Sequence, residues 1–310
     1  MNVLITGGAG FVGSNLAREA VHKGWRVRVL DNFYLGSPKN LSDIIKEIEL
    51  IKGDIRSRKT VNRATRGVDY VFHQAAVSSS QIFVPDPSEG FSVNVQSFAN
   101  LLFHAHKNGV KRVIYASTSS IYGDLPTPHR EDMFIKSCPN HYAASKLASE
   151  HLAKAHTLEH GLETVGLRYF SIYGLGEGHK GRYANMISQF LLGMRKGVPP
   201  VIYGDGSQTR DFTYVKDVVE ANFLAARKKC ISGEVFNIGT GKATTLNVLV
   251  ALLNKCLGMN LKPKHVRNPI KNYVYHTKAD ITKAKKLLGF EAKTTLEMGI
   301  ERLIRHYEQK

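Results

Sequence analysis

The chain has 310 residues, of which 43% are hydrophobic and 22% charged. That balance supplies a large core and excludes extended disorder, and no internal repeat or low-complexity tract breaks the sequence. The formal charge of +17 favours anionic ligands, but the basic residues are spread along the chain, so no specific nucleic-acid binding is expected.

The chain opens on an apolar run, Val3-Leu4-Ile5, that reads as a buried strand and leaves no room for a signal peptide ahead of it. No apolar run approaches the roughly 20 residues that cross a bilayer. A cytoplasmic protein with no membrane partner is therefore expected. Gly7-Gly8-Ala9-Gly10-Phe11-Val12-Gly13 follows, with a helix from about Val12 to Lys23 behind it. The G-x-x-G-x-x-G spacing removes Cβ atoms where a pyrophosphate would approach, and the helix start offers it free N–H groups. The next strand, Val27 to Leu30, ends in Asp31. A carboxylate there accepts from a ribose 2′-OH and repels a 2′-phosphate, which predicts NAD over NADP.

The third strand ends Ile48-Glu49-Leu50-Ile51 and leads to Gly53-Asp54-Ile55, where Asp54 could meet the adenine amino group. After Tyr70-Val71-Phe72 comes His73-Gln74-Ala75-Ala76, whose small residues let backbone run along the cofactor. The expected cofactor wall is thus Gly7, Gly10, Phe11, Val12, Asp31, Asn32, Asp54, Ile55, Gln74, Ala75 and Ala76. Val95, Phe98, Leu101, Leu102 and Ala105 carry helical spacing, and Val113-Ile114-Tyr115 reads as the fifth strand.

Behind it, Ala116-Ser117-Thr118-Ser119-Ser120 sets several hydroxyls at the carboxyl end of the sheet, where open α/β folds bind ligands. Tyr142-x-x-x-Lys146 then places a phenol and an ammonium on one helix face. A free tyrosine titrates near pH 10; a neighbouring ammonium and a positive nicotinamide ring would both favour the phenolate and make it an acid/base. Thr164 to Leu167 completes the strand–helix alternation.

The fold expected is α/β: a Rossmann-type doubly wound parallel sheet over 1–170, rejoined by 208–240. A smaller, discontinuous C-terminal lobe over 171–207 and 241–310 would bind substrate. Within these spans, 172–183 reads as a loop, Ala184 to Lys196 as a helix, Val235 to Gly239 as a strand, and 272–276 as extended. Cys138, Cys230 and Cys256 form no C-x-x-C pair, so neither a disulfide framework nor a metal site is expected.

Taken in order, these motifs, with Leu167-Arg168-Tyr169-Phe170, Arg210-Asp211-Phe212-Thr213-Tyr214-Val215 and Phe236-Asn237-Ile238-Gly239, resemble the extended short-chain dehydrogenase/reductases. Within them the chain is most similar to NAD-dependent nucleotide-sugar epimerases of the UDP-glucose 4-epimerase type. The resemblance implies that Tyr142 removes the sugar hydroxyl proton, that Lys146 holds the nicotinamide ribose and lowers the Tyr142 pKa, and that Thr118 is the catalytic hydroxyl. It implies further that Ser117 and Tyr169 lie beside the cofactor, and that Ser79 and Ser171 approach the substrate. Arg210 would pair with the substrate diphosphate, and Arg267 or Lys271 could supply a second cation.

It also implies a homodimer formed through the Tyr142 helix and the long helix at about 92–108. Three departures stand out. Ser171 replaces a common Asn, Ser119 and Ser120 replace the Asp-Glu that sugar dehydratases carry (related decarboxylases carry a Glu there), and His179-Lys180-Gly181-Arg182-Tyr183 is unlike the commonest epimerases and closer to heptose-nucleotide epimerases. The expected activity is C4 epimerisation of a UDP-glucose/UDP-galactose type substrate through a transient keto-sugar. The alternatives are an N-acetylhexosamine, uronic acid or ADP-heptose substrate, or a non-catalytic NAD-binding protein.

Overall fold

A computed structural model of the protein describes residues 1–308. Its first half runs β1 (Asn2–Thr6), α1 (Phe11–His22), β2 (Arg26–Asp31), β3 (Ile48–Lys52), α2 (Arg58–Thr65), β4 (Tyr70–His73), α3 (Ser80–Phe83), α4 (Pro87–Phe91), α5 (Ser97–Lys107), β5 (Arg112–Thr118), α6 (His141–His160) and β6 (Glu163–Tyr169). The second half runs β7 (Ile172–Tyr173), α7 (Met186–Met194), β8 (Val201–Tyr203), β9 (Thr209–Arg210), β10 (Thr213–Tyr214), α8 (Val215–Arg227), β11 (Glu234–Ile238), β12 (Thr244–Thr245), α9 (Leu246–Leu257), β13 (Lys264–Val266) and α10 (Leu296–Glu308).

Seven strands form one parallel sheet in the order β11-β6-β5-β4-β1-β2-β3. The fold is therefore the Rossmann-type doubly wound sheet. Parallel strands covered on both faces lack a polar side, which is why β5 and β6 are buried almost throughout. Val29, Leu16, Ala17, Val218 and Phe223 fill the core on one face. Leu4, Val71, Phe98, Leu101 and Val113 fill the other. The strand order reverses between β1 and β4, and at that switch point a crevice opens at the carboxyl ends.

A third core, separate from the sheet, joins Tyr173, Ile187, Leu191, Ile202, Phe212, Leu249, Leu253, Ile300 and Leu303. Ala284, Leu288 and Phe290 instead pack with Val218 and Phe236 against the sheet. Segment 172–183 differs from the loop expected of it. Ile172–Tyr173 pairs in parallel with Thr213–Tyr214, and Gly178–Tyr183 forms 3-10 turns interrupted at Gly181. Two-residue pairing of this kind has no sequence period to reveal it. The expected helix at 92–108 begins with a π-helical turn, Ser92–Gln96, before α5. Among the described residues no helix is long and apolar enough to cross a membrane.

Candidate active site

The crevice is a cavity of about 700 Å³. It is lined by every site residue expected from the sequence except Ser79, Arg210 and Lys271. Its floor is the turn between β1 and α1. Gly7 takes φ +67°, and a Cβ there would sit 2.6 Å from the Ala75 nitrogen. At Gly13 a Cβ would come within 2.2 Å of the Gly7 carbonyl oxygen. Only glycine lets the turn, the Gln74-Ala75 backbone and α1 close up in this way. Helix α1 has no capping side chain and no acidic residue in its first turn. Its leading N–H groups and positive dipole end therefore favour an anion in the cavity.

Asp31 stands beside this turn, 7% exposed. Its Oδ2 accepts the Ala9 N–H at 2.9 Å and its Oδ1 the Phe33 N–H at 2.7 Å. Burial raises its pKa, and those two N–H donors work against the rise. Each carboxylate oxygen retains acceptor capacity for a ribose hydroxyl. Asp54 is tied to Arg56 and to the Asn32 amide, and the Arg56 hydrogen bonds take its carboxyl down to about 2. At the opposite wall Gln74, Tyr169 and Asn222 share hydrogen bonds of 2.9–3.4 Å. His73, below them, is held neutral by burial, its pKa down to about 3, with Nδ1 2.8 Å from the Thr6 hydroxyl.

The chemical groups lie where β5 ends against α6. Asn140 caps α6 by accepting the Ala143 N–H at 2.9 Å, so Tyr142 and Lys146 fall on its first two turns. Thr118 and Tyr142 line the cavity together, and the Thr118 hydroxyl oxygen accepts the Ser120 N–H at 3.1 Å. Lys146, 4% exposed, donates to the Ala116 carbonyl at 3.0 Å. Burial pushes its ammonium down to about 8, and the Glu150 charge pulls the other way. Burial raises the pKa of the Tyr142 phenol, and hydrogen bonding with Thr118 works against the rise.

A buried ion pair supports this helix from behind. Arg168 donates from Nε to Glu150 Oε1 at 2.9 Å and from Nη2 to Oε2 at 2.7 Å, and from Nη1 to the Tyr122 hydroxyl at 2.8 Å. Ser117 gives its hydroxyl to Glu150 Oε1 at 2.5 Å, so it meets the cavity without a free donor aimed into it. The signal for Glu150 was present in sequence, since it stands four residues after Lys146 and two turns after Tyr142 on the same helix.

Three expected substrate groups stand off the cavity wall. Ser79 caps α3, accepting the Gln81 N–H at 3.2 Å. Arg210 donates to the Thr209 and Tyr275 carbonyls and stacks over the Tyr273 ring at 5.1 Å. Lys271 is exposed, as is Arg267. Ser171 does line the cavity, at φ +29°. Ser78, Gln81, Glu177 and Asn185, not singled out from the sequence, also line it, as do His179 and Lys180 of the segment that departs from the commonest epimerases. Among the described residues no group of three or more His, Cys, Asp or Glu is arranged to hold a metal ion.

A glycine turn that admits a pyrophosphate, an acid placed for a ribose, and a Thr–Tyr–Lys group at the sheet's carboxyl end together fit a dinucleotide. Comparison with known proteins agrees. Residues 3–239 match the model of the NAD dependent epimerase/dehydratase family. A UDP-N-acetyl-alpha-D-glucosaminuronate decarboxylase of Bacillus cytotoxicus is 33% identical, over 99% of this chain and 97% of its own. The UDP-glucose 4-epimerase of Thermotoga maritima, solved with UDP-glucose, superimposes with a TM-score of 0.93 at 34% identity, covering 100% of this chain and 99% of its own. The Helicobacter pylori ADP-L-glycero-D-manno-heptose-6-epimerase does so with a TM-score of 0.89 at 34% identity, covering 100% and 96%.

Proposed function

This chain belongs to the NAD-dependent epimerase/dehydratase family, with NAD as its cofactor, and we propose that within it the protein epimerises a nucleotide sugar at C4, on a UDP-glucose/UDP-galactose pair. Gly7, Gly10, Phe11 and Val12 would hold the cofactor pyrophosphate, Asp31 the adenosine ribose, and Lys146 the nicotinamide ribose. Bound NAD supplies the acceptor and donor of a hydride.

The protein's part is the proton. Tyr142 takes the proton of the sugar hydroxyl and gives it back to the same oxygen, with Thr118 hydrogen-bonded to that oxygen or to the phenol. The observation that carries the reading is what stands next to Thr118. Ser119 and Ser120 line the cavity there, in place of the carboxylates that elimination or decarboxylation would use. A proton that leaves and returns at one atom needs no second acid.

Ser171, with a backbone already in the left-handed region, is assigned to the substrate, and Arg210 to its diphosphate, preset by two carbonyls and the Tyr273 ring. Ser79 and Lys271 are retained as outer contacts that a bound substrate would draw in. The reading includes a homodimer through α5 and α6, supported by the exposed Phe103 and Leu158 on those helices. It also includes a cytoplasmic setting, in which Cys138, Cys230 and Cys256 stay free thiols.

Incubation with UDP-glucose, UDP-galactose, their N-acetylated and uronic relatives and an ADP-heptose, followed by NMR of the anomeric region, tests it. Interconversion of UDP-glucose and UDP-galactose is expected. Change at C6 of the heptose would replace the substrate, and loss of CO2 from a uronate would replace the reaction.

A further inference from the structure

Helix α6 meets the end of β5 through hydrogen bonds to two successive residues. Lys146 donates to the Ala116 carbonyl at 3.0 Å, and Glu150 accepts the Ser117 hydroxyl at 2.5 Å. Lys146 and Glu150 stand four residues apart and so share a helix face. The next strand residue is Thr118, which lines the cavity with Tyr142. Two side chains of the Tyr142 helix thus hold the two residues that immediately precede Thr118.

What Glu150 is fastened to decides how firm that hold is. Ser117, Arg168 and Asn237 are register neighbours across β5, β6 and β11. Glu150 docks on this row. Its Oε1 takes the Ser117 hydroxyl and the Arg168 Nε–H, and its Oε2 takes an Nη2–H of Arg168. Arg168 also donates to the Tyr122 hydroxyl at 2.8 Å, which in turn donates to Asn237 Oδ1 at 2.7 Å. All of these side chains are buried, and a buried network with its partners in place is rigid.

The ion pair in it is a poor source of net stability. Desolvation offsets most of the attraction, and apolar side chains of the same volume would serve stability as well. What they would not supply is a fixed register of α6 on β5. On its other edge α6 is bonded through Ser145 and Ser149 to Asn94, in the turn before α5, and those contacts do not reach β5.

Resting on the functional reading above, we infer that Glu150 is a positioning residue of the proton transfer: by holding Ser117 it sets Thr118, and the Ala116 carbonyl that seats Lys146, against Tyr142. Glu150 does not line the cavity, so it acts only through these neighbours. The test is a double-mutant cycle on NAD-loaded protein. Ser117→Ala and Glu150→Gln are made singly and together, and Ser117→Thr keeps the hydroxyl. Turnover is followed on the nucleotide sugar that the wild type converts, and NAD content is measured on each purified protein.

Ser117→Ala should lower kcat on the order of tenfold, the scale on which small misplacements act, and change KM by less than about twofold. Ser117→Thr should restore most of the loss, and every variant should retain NAD. In the Glu150→Gln background the alanine should cost less than about twofold, because the tie to a carboxylate is already gone. Equal losses in both backgrounds, or a kcat that does not fall, would overturn the inference. A loss confined to KM or to NAD content would make Ser117 a binding residue and overturn it too. A wild type that converts no nucleotide sugar would overturn the functional reading, and this inference with it.

Discussion

Replacing Lys146 by methionine should stabilise the nucleotide-free protein while abolishing its chemistry. The side chain is 4% exposed, and its one hydrogen bond is to the Ala116 carbonyl. Burial takes the ammonium from 10.5 to about 8. That fall of about two and a half pH units, at about 1.4 kcal/mol each, means that holding the charge in the folded protein costs about 3 kcal/mol at pH 7. Losing the hydrogen bond to Ala116 returns about 1 kcal/mol of that. Methionine fills a similar volume without charge, so a net gain of about 2 kcal/mol is expected.

The pH dependence identifies the cause. At pH 7 folded and unfolded chains both carry the proton, and the folded state bears the whole cost. Above about pH 8 the folded lysine loses its proton while the unfolded one keeps it up to about 10.5. The unfolded state then binds more protons, so wild-type stability rises with pH and the advantage of methionine shrinks. Urea unfolding at pH 7 and pH 9.5 measures both quantities. A methionine variant less stable than wild type at pH 7, or a difference that does not move with pH, would refute the reasoning.

Other consequences can be checked separately. Glu150→Ala leaves the Arg168 guanidinium, 5% exposed, without its carboxylate. It should cost about 3–5 kcal/mol in urea unfolding, with Glu150→Gln costing less. Gly13→Ala drives a Cβ to 2.2 Å from the Gly7 carbonyl. Purified protein should then carry little NAD and be about 1–3 kcal/mol less stable. Asp31→Ser removes the charge that opposes a 2′-phosphate, and the NAD-to-NADP affinity ratio should fall toward unity by calorimetry.

Much of this was legible in the sequence because it is local. The glycine turn, Asp31 and the Tyr142/Lys146 pair each depend on spacing within one element or one βα unit, and the strands of the sheet announce themselves as short, mainly apolar runs rich in branched and aromatic residues. What could not be read depends on where distant segments meet. Ser117 was expected beside the cofactor, yet its hydroxyl turns to Glu150, 33 residues on. The direction of the Lys146 ammonium follows from β5 lying beside α6, where the Ala116 carbonyl accepts it. Lys180 and Asn185 line the cavity from a segment that Glu177 ties to α7. Ser79 and Arg210 were placed by motif, and local hydrogen bonds to Gln81, Thr209 and Tyr275 decide where they rest.

On the proposed mechanism Tyr142, beside Thr118 and carried with Lys146 on α6, moves the proton in epimerisation of a nucleotide sugar. The most direct test is NMR of UDP-glucose incubated with wild type and with Tyr142→Phe, both loaded with NAD and matched in thermal stability. Wild type should produce UDP-galactose, and the phenylalanine variant should lose turnover by roughly a hundredfold or more, the usual weight of a positioned acid/base. A variant that turns over as wild type does, or a wild type inert toward UDP-glucose and every other nucleotide sugar in the panel, would contradict the account.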